Sequence, residues 1–167
     1  MKELLKDLIG KEIYCLYSER IELNTSSEET QNHVVIQMTP YILIRLTKNN
    51  TFGVKLLSKQ IDDDHYKIVV ERYSIEELKH NDLNFSKHFI RPLEKIHSIN
   101  VYIDKYSSGN SDLATSITSM IEICFKSSCL VLYPSYIPFG GMMSFYDPFI
   151  CDKNYSLEDH KLAYSLK

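Results

Sequence analysis

Residues 41–57 read YILIRL-TKNNT-FGVKLL, and this stretch decides the fold. Two apolar runs, 41–46 and 52–57, flank a polar five-residue link. Asn49 and Asn50 in that link tolerate the positive φ that hairpin turns demand. Alternation places Ile42, Ile44 and Leu46 on one face of the first run. Phe52, Val54 and Leu56 are the candidates to line that face from the partner strand. The pattern is an antiparallel hairpin with one buried face.

Strand signals continue outward from this hairpin. Residues 13–17 form a short apolar run, and 66–73 (YKIVVERY) alternate Tyr66, Ile68 and Val70 against Lys67, Val69 and Glu71. In the second half, 99–103, 119–125 and 129–133 read as strands, with Lys126, Ser127 and Ser128 as a tight turn between the last two. Cys124 and Cys129 flank that turn and can face each other across it.

Helix signals are confined to three places. Met1, Leu4, Leu5, Leu8 and Ile9 form an amphipathic stripe that ends at Gly10, a residue suited to a C-cap. Ser74 followed by Glu77 is a capping-box pattern and predicts a short helix over 75–80. Ser156 followed by Asp159 resembles another helix start, leading to a C-terminal helix that carries Leu157, Leu162 and Leu166. Residues 24–32 (NTSSEETQN) and 107–111 (SSGNS) read as loops, and 81–92 as a turn-rich connector.

The expected architecture is therefore α+β, a single domain of 167 residues dominated by antiparallel sheet, with short helices near both ends and near 75–80. The two halves also echo each other. Ile42-x-Ile44-x-Leu46, turn, Phe52-x-Val54 parallels Ile121-x-Ile123-x-Phe125, turn, Leu130-x-Leu132. Two similar β units over 8–73 and 93–133 would give this, and so would any two hairpins with one buried face.

Composition narrows the function classes. A net charge of −3 is too mild to steer a polyanion, and no basic stripe with interleaved aromatics offsets it, so nucleic acid is not an expected partner. The segment MKELLKDLIGKEI lacks the apolar run of an export signal. With four cysteines and no CxxC pair, the expected location is cytoplasmic, with free thiols behaving as small hydrophobes.

Residues 127–146 (SSCLVLYPSYIPFGGMMSFY) carry no charge in a chain that is 25% charged. Pro134, Pro138, Gly140 and Gly141 would break a spanning helix, so no membrane segment is expected. Residues 129–133 read as core strand. The remainder is an irregular aromatic segment with two readings: cover for the open face of the sheet, or an exposed surface. Aromatics and Met concentrate at the centres of protein interfaces. On that ground Tyr136, Phe139, Met142, Met143, Phe145 and Tyr146 are candidate partner-binding residues.

A second candidate surface is acidic: Asp62, Asp63 and Asp64 with Glu76 and Glu77. It suits a basic protein partner. As a metal site the Asp62–Asp64 run has the wrong spacing, because adjacent residues on an extended chain point opposite ways. The six histidines show neither HxH nor HExxH spacing, so no metal or cofactor is expected. No GxSxG or phosphate loop is present.

These features lead to a non-enzymatic protein-binding module, specifically an immunity-type protein that neutralises a toxin domain by occluding its active-site face. The competing class is a small-molecule-binding protein or enzyme with a pocket under 133–149, using Cys151 or His160 as the reactive group. A third is a structural subunit of an oligomer.

Overall fold

The computed structural model describes residues 1–18, 22–23, 34–39, 41–46, 52–62, 65–74, 86–88, 94–107, 115–126, 129–134, 142–146 and 160–167. Within them the chain is mostly antiparallel sheet with little helix. The elements run α1 (Lys2–Lys6), β1 (Cys15–Ser18), β2 (Glu22–Leu23), β3 (Val34–Thr39), β4 (Tyr41–Arg45), β5 (Phe52–Gln60) and β6 (Tyr66–Ser74). They continue with β7 (Ser86–His88), β8 (Ser98–Tyr106), β9 (Thr115–Cys124), β10 (Cys129–Pro134), β11 (Met142–Tyr146) and β12 (Lys161–Leu166). They form a five-stranded sheet, β6-β5-β4-β1-β7, and a seven-stranded sheet, β12-β8-β9-β10-β11-β3-β2. Each contains a run of four antiparallel neighbours, β1-β4-β5-β6 in one and β8-β9-β10-β11 in the other.

The alternation in 41–57 does what its pattern requires. Ile42 pairs with Leu56 and Ile44 with Val54, and all four are buried. Ile68 and Val70 of β6 continue that face. The opposing sheet supplies Ile99, Val101, Ile121, Ile123, Leu130 and Leu132, so both sheets share one apolar cluster. Burying each such aliphatic side chain contributes about 1.5–3 kcal/mol before chain entropy is set against it. β6 packs across β9 and β10.

Phe52 departs from this pattern. It lies on the inward face by alternation but is 47% exposed, because it sits past the end of the core beside Arg72, whose guanidinium stands 4.3 Å from its ring.

At the N-terminus the helix is shorter than the apolar stripe. It covers five residues, and turns carry the chain on to Gly10, whose φ is +74°. Leu5 and Leu8 are nevertheless fully buried, so the stripe is satisfied without a full helix. The short helix is the only one among the described residues, and none there is long and apolar enough to cross a membrane.

The C-terminal helix expected over Leu157–Leu166 is not what forms there: Lys161–Leu166 is a strand, β12, paired with β8. The pairing shows why. Tyr164 and Leu166 share one face, with Leu166 buried in the shared core and Tyr164 packed beside it, whereas Leu162, of the same parity, is put out of step by a register shift before Tyr164 and is 50% exposed. A period of two met an open sheet edge, and the five- and four-residue leucine spacing lost.

Two further segments hold strands, one without an assignment from the sequence and one within the stretch read as irregular. Residues 34–39 form β3, and Met142–Tyr146 forms β11, an inner strand bonded to β10 on one side and β3 on the other. β11 therefore extends the sheet in its own plane instead of covering its face. The helix expected over 75–80, the loop 24–32, residues 135–140 and the start of the C-terminal segment lie outside the described residues.

Candidate functional site

Three polar constellations and one groove stand out. The first is on the outer face of the seven-stranded sheet, opposite the shared core. The pleat turns Asn100 and Tyr102 of β8, Met120, Glu122 and Cys124 of β9, and Cys129 and Val131 of β10 to that side. Met120 and Val131 are fully buried and Tyr102 nearly so, so this face carries a second, smaller apolar cluster. Polar groups beside it must find partners. Glu122 Oε2 accepts from Asn100 Nδ2 at 2.6 Å and from the Tyr102 hydroxyl at 3.1 Å. Burial first, and the Glu122 carboxylate second, push the Tyr102 phenol well above its ordinary range, so it stays a donor.

Cys124 and Cys129 are directly opposed across the β9–β10 hairpin, and both are half-buried thiols outside any disulfide. The pairing is the one the turn between them predicts. The hydrogen bond from Cys129 holds the Cys124 thiol below its ordinary range, against the upward push of burial and of Glu122. One ligand atom from each of Glu122, Cys124 and Cys129 lies within 4.8 Å of the others.

The second constellation gathers at a β-bulge. Tyr102 pairs with Met120 and Ile103 with Thr118, leaving Ser119 as the extra residue on β9. His160, just before β12, places Nδ1 3.2 Å from Ser119 Oγ and 3.1 Å from both Asp104 carboxylate oxygens. A reactive histidine needs a group to orient its ring. Asp104 is such a group, while Cys151 lies outside the described residues.

The geometry is not that of an acyl-transfer triad. There the carboxylate holds one ring nitrogen and the nucleophile faces the other. Here Ser119 and Asp104 share Nδ1, and flipping the ring would bring a carbon, not Nε2, into that place. The arrangement ties the residue before β12 to β8 and β9.

The third constellation belongs to the acidic run. Asp62 caps the β5–β6 turn, accepting the His65 backbone N–H at 2.9 Å and lying 2.8 Å from His65 Nδ1. Its other oxygen accepts from the Tyr106 hydroxyl at the end of β8, so it staples one sheet to the other. The His65 and Tyr106 rings meet edge to face, with centroids 4.9 Å apart. Asp62 thus has a structural task within the chain. Asp63, Asp64, Glu76, Glu77, Tyr136 and Phe139 lie outside the described residues. Met142, Met143, Phe145 and Tyr146 are on β11, whose backbone is bonded on both edges.

The groove lies where the N-terminal turn meets the end of β9. Gly10 N–H donates to the Ile96 carbonyl and Ile96 N–H to the Lys11 carbonyl, both at 2.9 Å, and His97 N–H donates to the Cys124 carbonyl at 2.7 Å. These bonds hold 94–97 as a strap between the two. The groove encloses about 760 Å³. Its floor is Ile9, Ile96 and Phe125, and its rim is Glu94, Lys95, His97 and Lys126. Nothing in the sequence marked it, because its walls come from three distant segments. No protein-family model, curated protein or solved structure matches the chain.

Proposed function

We propose that the chain is a non-enzymatic protein-binding module, and more finely an immunity-type protein that neutralises a toxin domain by covering its active-site face. The observation that carries this reading is the groove of about 760 Å³ with an apolar floor and a charged rim. That layout is the anatomy of a protein interface: a dry centre that anchors an inserted side chain and a polar border that fixes orientation. Ile96 and Phe125 are held rigid by the shared core, so docking a partner loop costs little ordering on this side. The rim carries Lys95 and Lys126 beside Glu94, so the attraction for a basic partner comes from the acidic segments 62–64 and 76–77 and from the net charge of −3, not from the groove.

A second reading rests on the same volume, which falls within the range of small-molecule sites. The groove is distant in sequence from the 133–149 segment where a pocket was expected. Photo-crosslinking residues placed at His97 and Lys126, with Lys59 on β5 as control, separate the two readings. Protein binding predicts one stoichiometric cross-linked protein from both groove positions and none from Lys59. It also predicts that the purified partner has a toxic activity that this chain suppresses at a one-to-one ratio. A metabolite retained by the native protein and lost on Lys126→Glu, with no protein cross-linked, would replace this reading with the second.

A further inference from the structure

We propose that Glu122, Cys124 and Cys129 form a binding site for a thiophilic divalent metal ion, with zinc as the natural occupant. Two sulfur donors and one carboxylate oxygen are a zinc-type donor set. Around a tetrahedral ion, bond lengths of about 2.3 Å to sulfur and about 2.0–2.2 Å to oxygen set donor separations of roughly 3.5–3.8 Å. The three donor atoms already lie within 4.8 Å of one another, so side-chain rotation closes the site without moving the backbone.

The backbone is suited to hold that geometry. Glu122 and Cys124 are two residues apart on β9 and so project from one face, and Cys129 is the direct partner of Cys124 on β10. β9 is bonded to a neighbour on each side, which fixes the spacing. The Glu122 carboxylate is also prepared for the task. Asn100 and Tyr102 both donate to Oε2, which orients the group. Three protein donors leave the fourth position to water or to a ligand atom, as in zinc sites that bind or activate a further molecule.

The test is a cobalt titration of the full chain, reduced with a phosphine under anaerobic conditions. One equivalent of Co²⁺ should produce the visible bands of tetrahedral cobalt and thiolate-to-cobalt absorption, and one equivalent of Zn²⁺ should abolish both. Cys124→Ser and Cys129→Ser should each remove the thiolate absorption, and a Cys15→Ser/Cys151→Ser variant should keep it. Asn100→Ala should weaken Zn²⁺ binding by roughly 10–100-fold, the effect expected of an orienting partner. Should the serine variants fail to fold, zinc protection against alkylation, mapped by peptide mass on the native chain, reads the same site. Zinc should then shield Cys124 and Cys129 and leave Cys15 and Cys151 unaffected. The proposal is overturned by an octahedral cobalt spectrum, by no stoichiometric change, by protection of other cysteines, or by a Cys124–Cys129 disulfide that persists in place of metal uptake.

Discussion

The outer faces of the two sheets are built from the same kind of strand and end in opposite states. On the five-stranded sheet, Lys55 opposes Glu71 and Lys59 opposes Lys67, and the Lys55 ammonium stands 4.6 Å from the Tyr41 ring. Leu43 and Tyr73 are buried on this face too, but Lys59 and Glu71 are exposed and its charged side chains are spread over separate contacts. On the seven-stranded sheet, Met120 and Val131 are fully buried, and the polar groups beside them are drawn into one network around Glu122. Both faces bury apolar side chains; the first spreads its charges over separate contacts, whereas the second gathers its polar groups around one carboxylate. The candidate chemistry is on the gathered side for that reason.

The largest test of this contrast compares two neighbours on β9. Ile121 faces the shared core and Met120 the outer cluster, and both are fully buried. Ile121→Ala and Met120→Ala should each cost about 2–5 kcal/mol in urea unfolding, with an unchanged m-value. If Met120→Ala costs under about 1 kcal/mol, the outer face is no second core and the contrast fails.

Next in size is Gly53, on the outer face of the five-stranded sheet. Its partner is Tyr73, and a Cβ at Gly53 would fall 2.3 Å from that ring. The ring fills the space over the glycine and is itself buried, so it has little room to yield. Gly53→Ala should cost about 1–3 kcal/mol as overpacking, and most of that cost should vanish in a Tyr73→Ala background. A cost that survives Tyr73→Ala would place its origin in the backbone instead.

The legibility of the sequence follows the same divide. Where one face was buried and the other wet, as in 41–57 and 66–73, alternation alone located the strands and the inward residues. The opposition of Cys124 and Cys129 could be read from the turn between them. Glu122 was not singled out, because a lone carboxylate in IEIC looks like a solvated position until β8 brings Asn100 and Tyr102 alongside. β12 was misread because an edge strand with Leu162 exposed and Leu166 buried leaves a leucine spacing that also fits a helix. The Asp104–His160–Ser119 cluster depends on a bulge, and a bulge has no sequence signal of its own here.

Tyr164 on β12 gives a smaller effect with an informative sign. Its hydroxyl is buried with no hydrogen-bond partner among the described residues, and burial pushes its pKa up. Tyr164→Phe removes an unsatisfied group and should be neutral or stabilising by up to about 1 kcal/mol. The pH dependence has a definite direction. A phenol raised in the folded state contributes stability that is fully present below the unfolded value of about 10 and is lost as pH rises through the folded value. The native chain should therefore lose stability above about pH 10, and Tyr164→Phe should lose less over the same range. A steeper alkaline loss in the variant would show that the hydroxyl has a partner after all.

The smallest effect tests whether the spread charges of the five-stranded sheet's outer face are as loosely coupled as their chemistry implies. Lys55 and Tyr41 are diagonal neighbours, since Lys55 pairs with Leu43 and Tyr41 with Leu57. The ammonium stands 4.6 Å from the Tyr41 ring centroid. A cation–π contact that water can reach is worth about 0.5–1 kcal/mol, and its partners lose little else when separated. A double-mutant cycle of Lys55→Ala and Tyr41→Ala should return a coupling of about 0.5 kcal/mol. Tyr102 and Glu122 are also diagonal neighbours, since Tyr102 pairs with Met120 and Glu122 with Asn100, but they are joined by a charge-assisted hydrogen bond beside buried Met120. The cycle of Tyr102→Phe and Glu122→Gln should therefore give the larger coupling, about 1.5–3 kcal/mol. Equal couplings would mean that both faces are equally wet, and the network around Glu122 would lose its claim to be a prepared site.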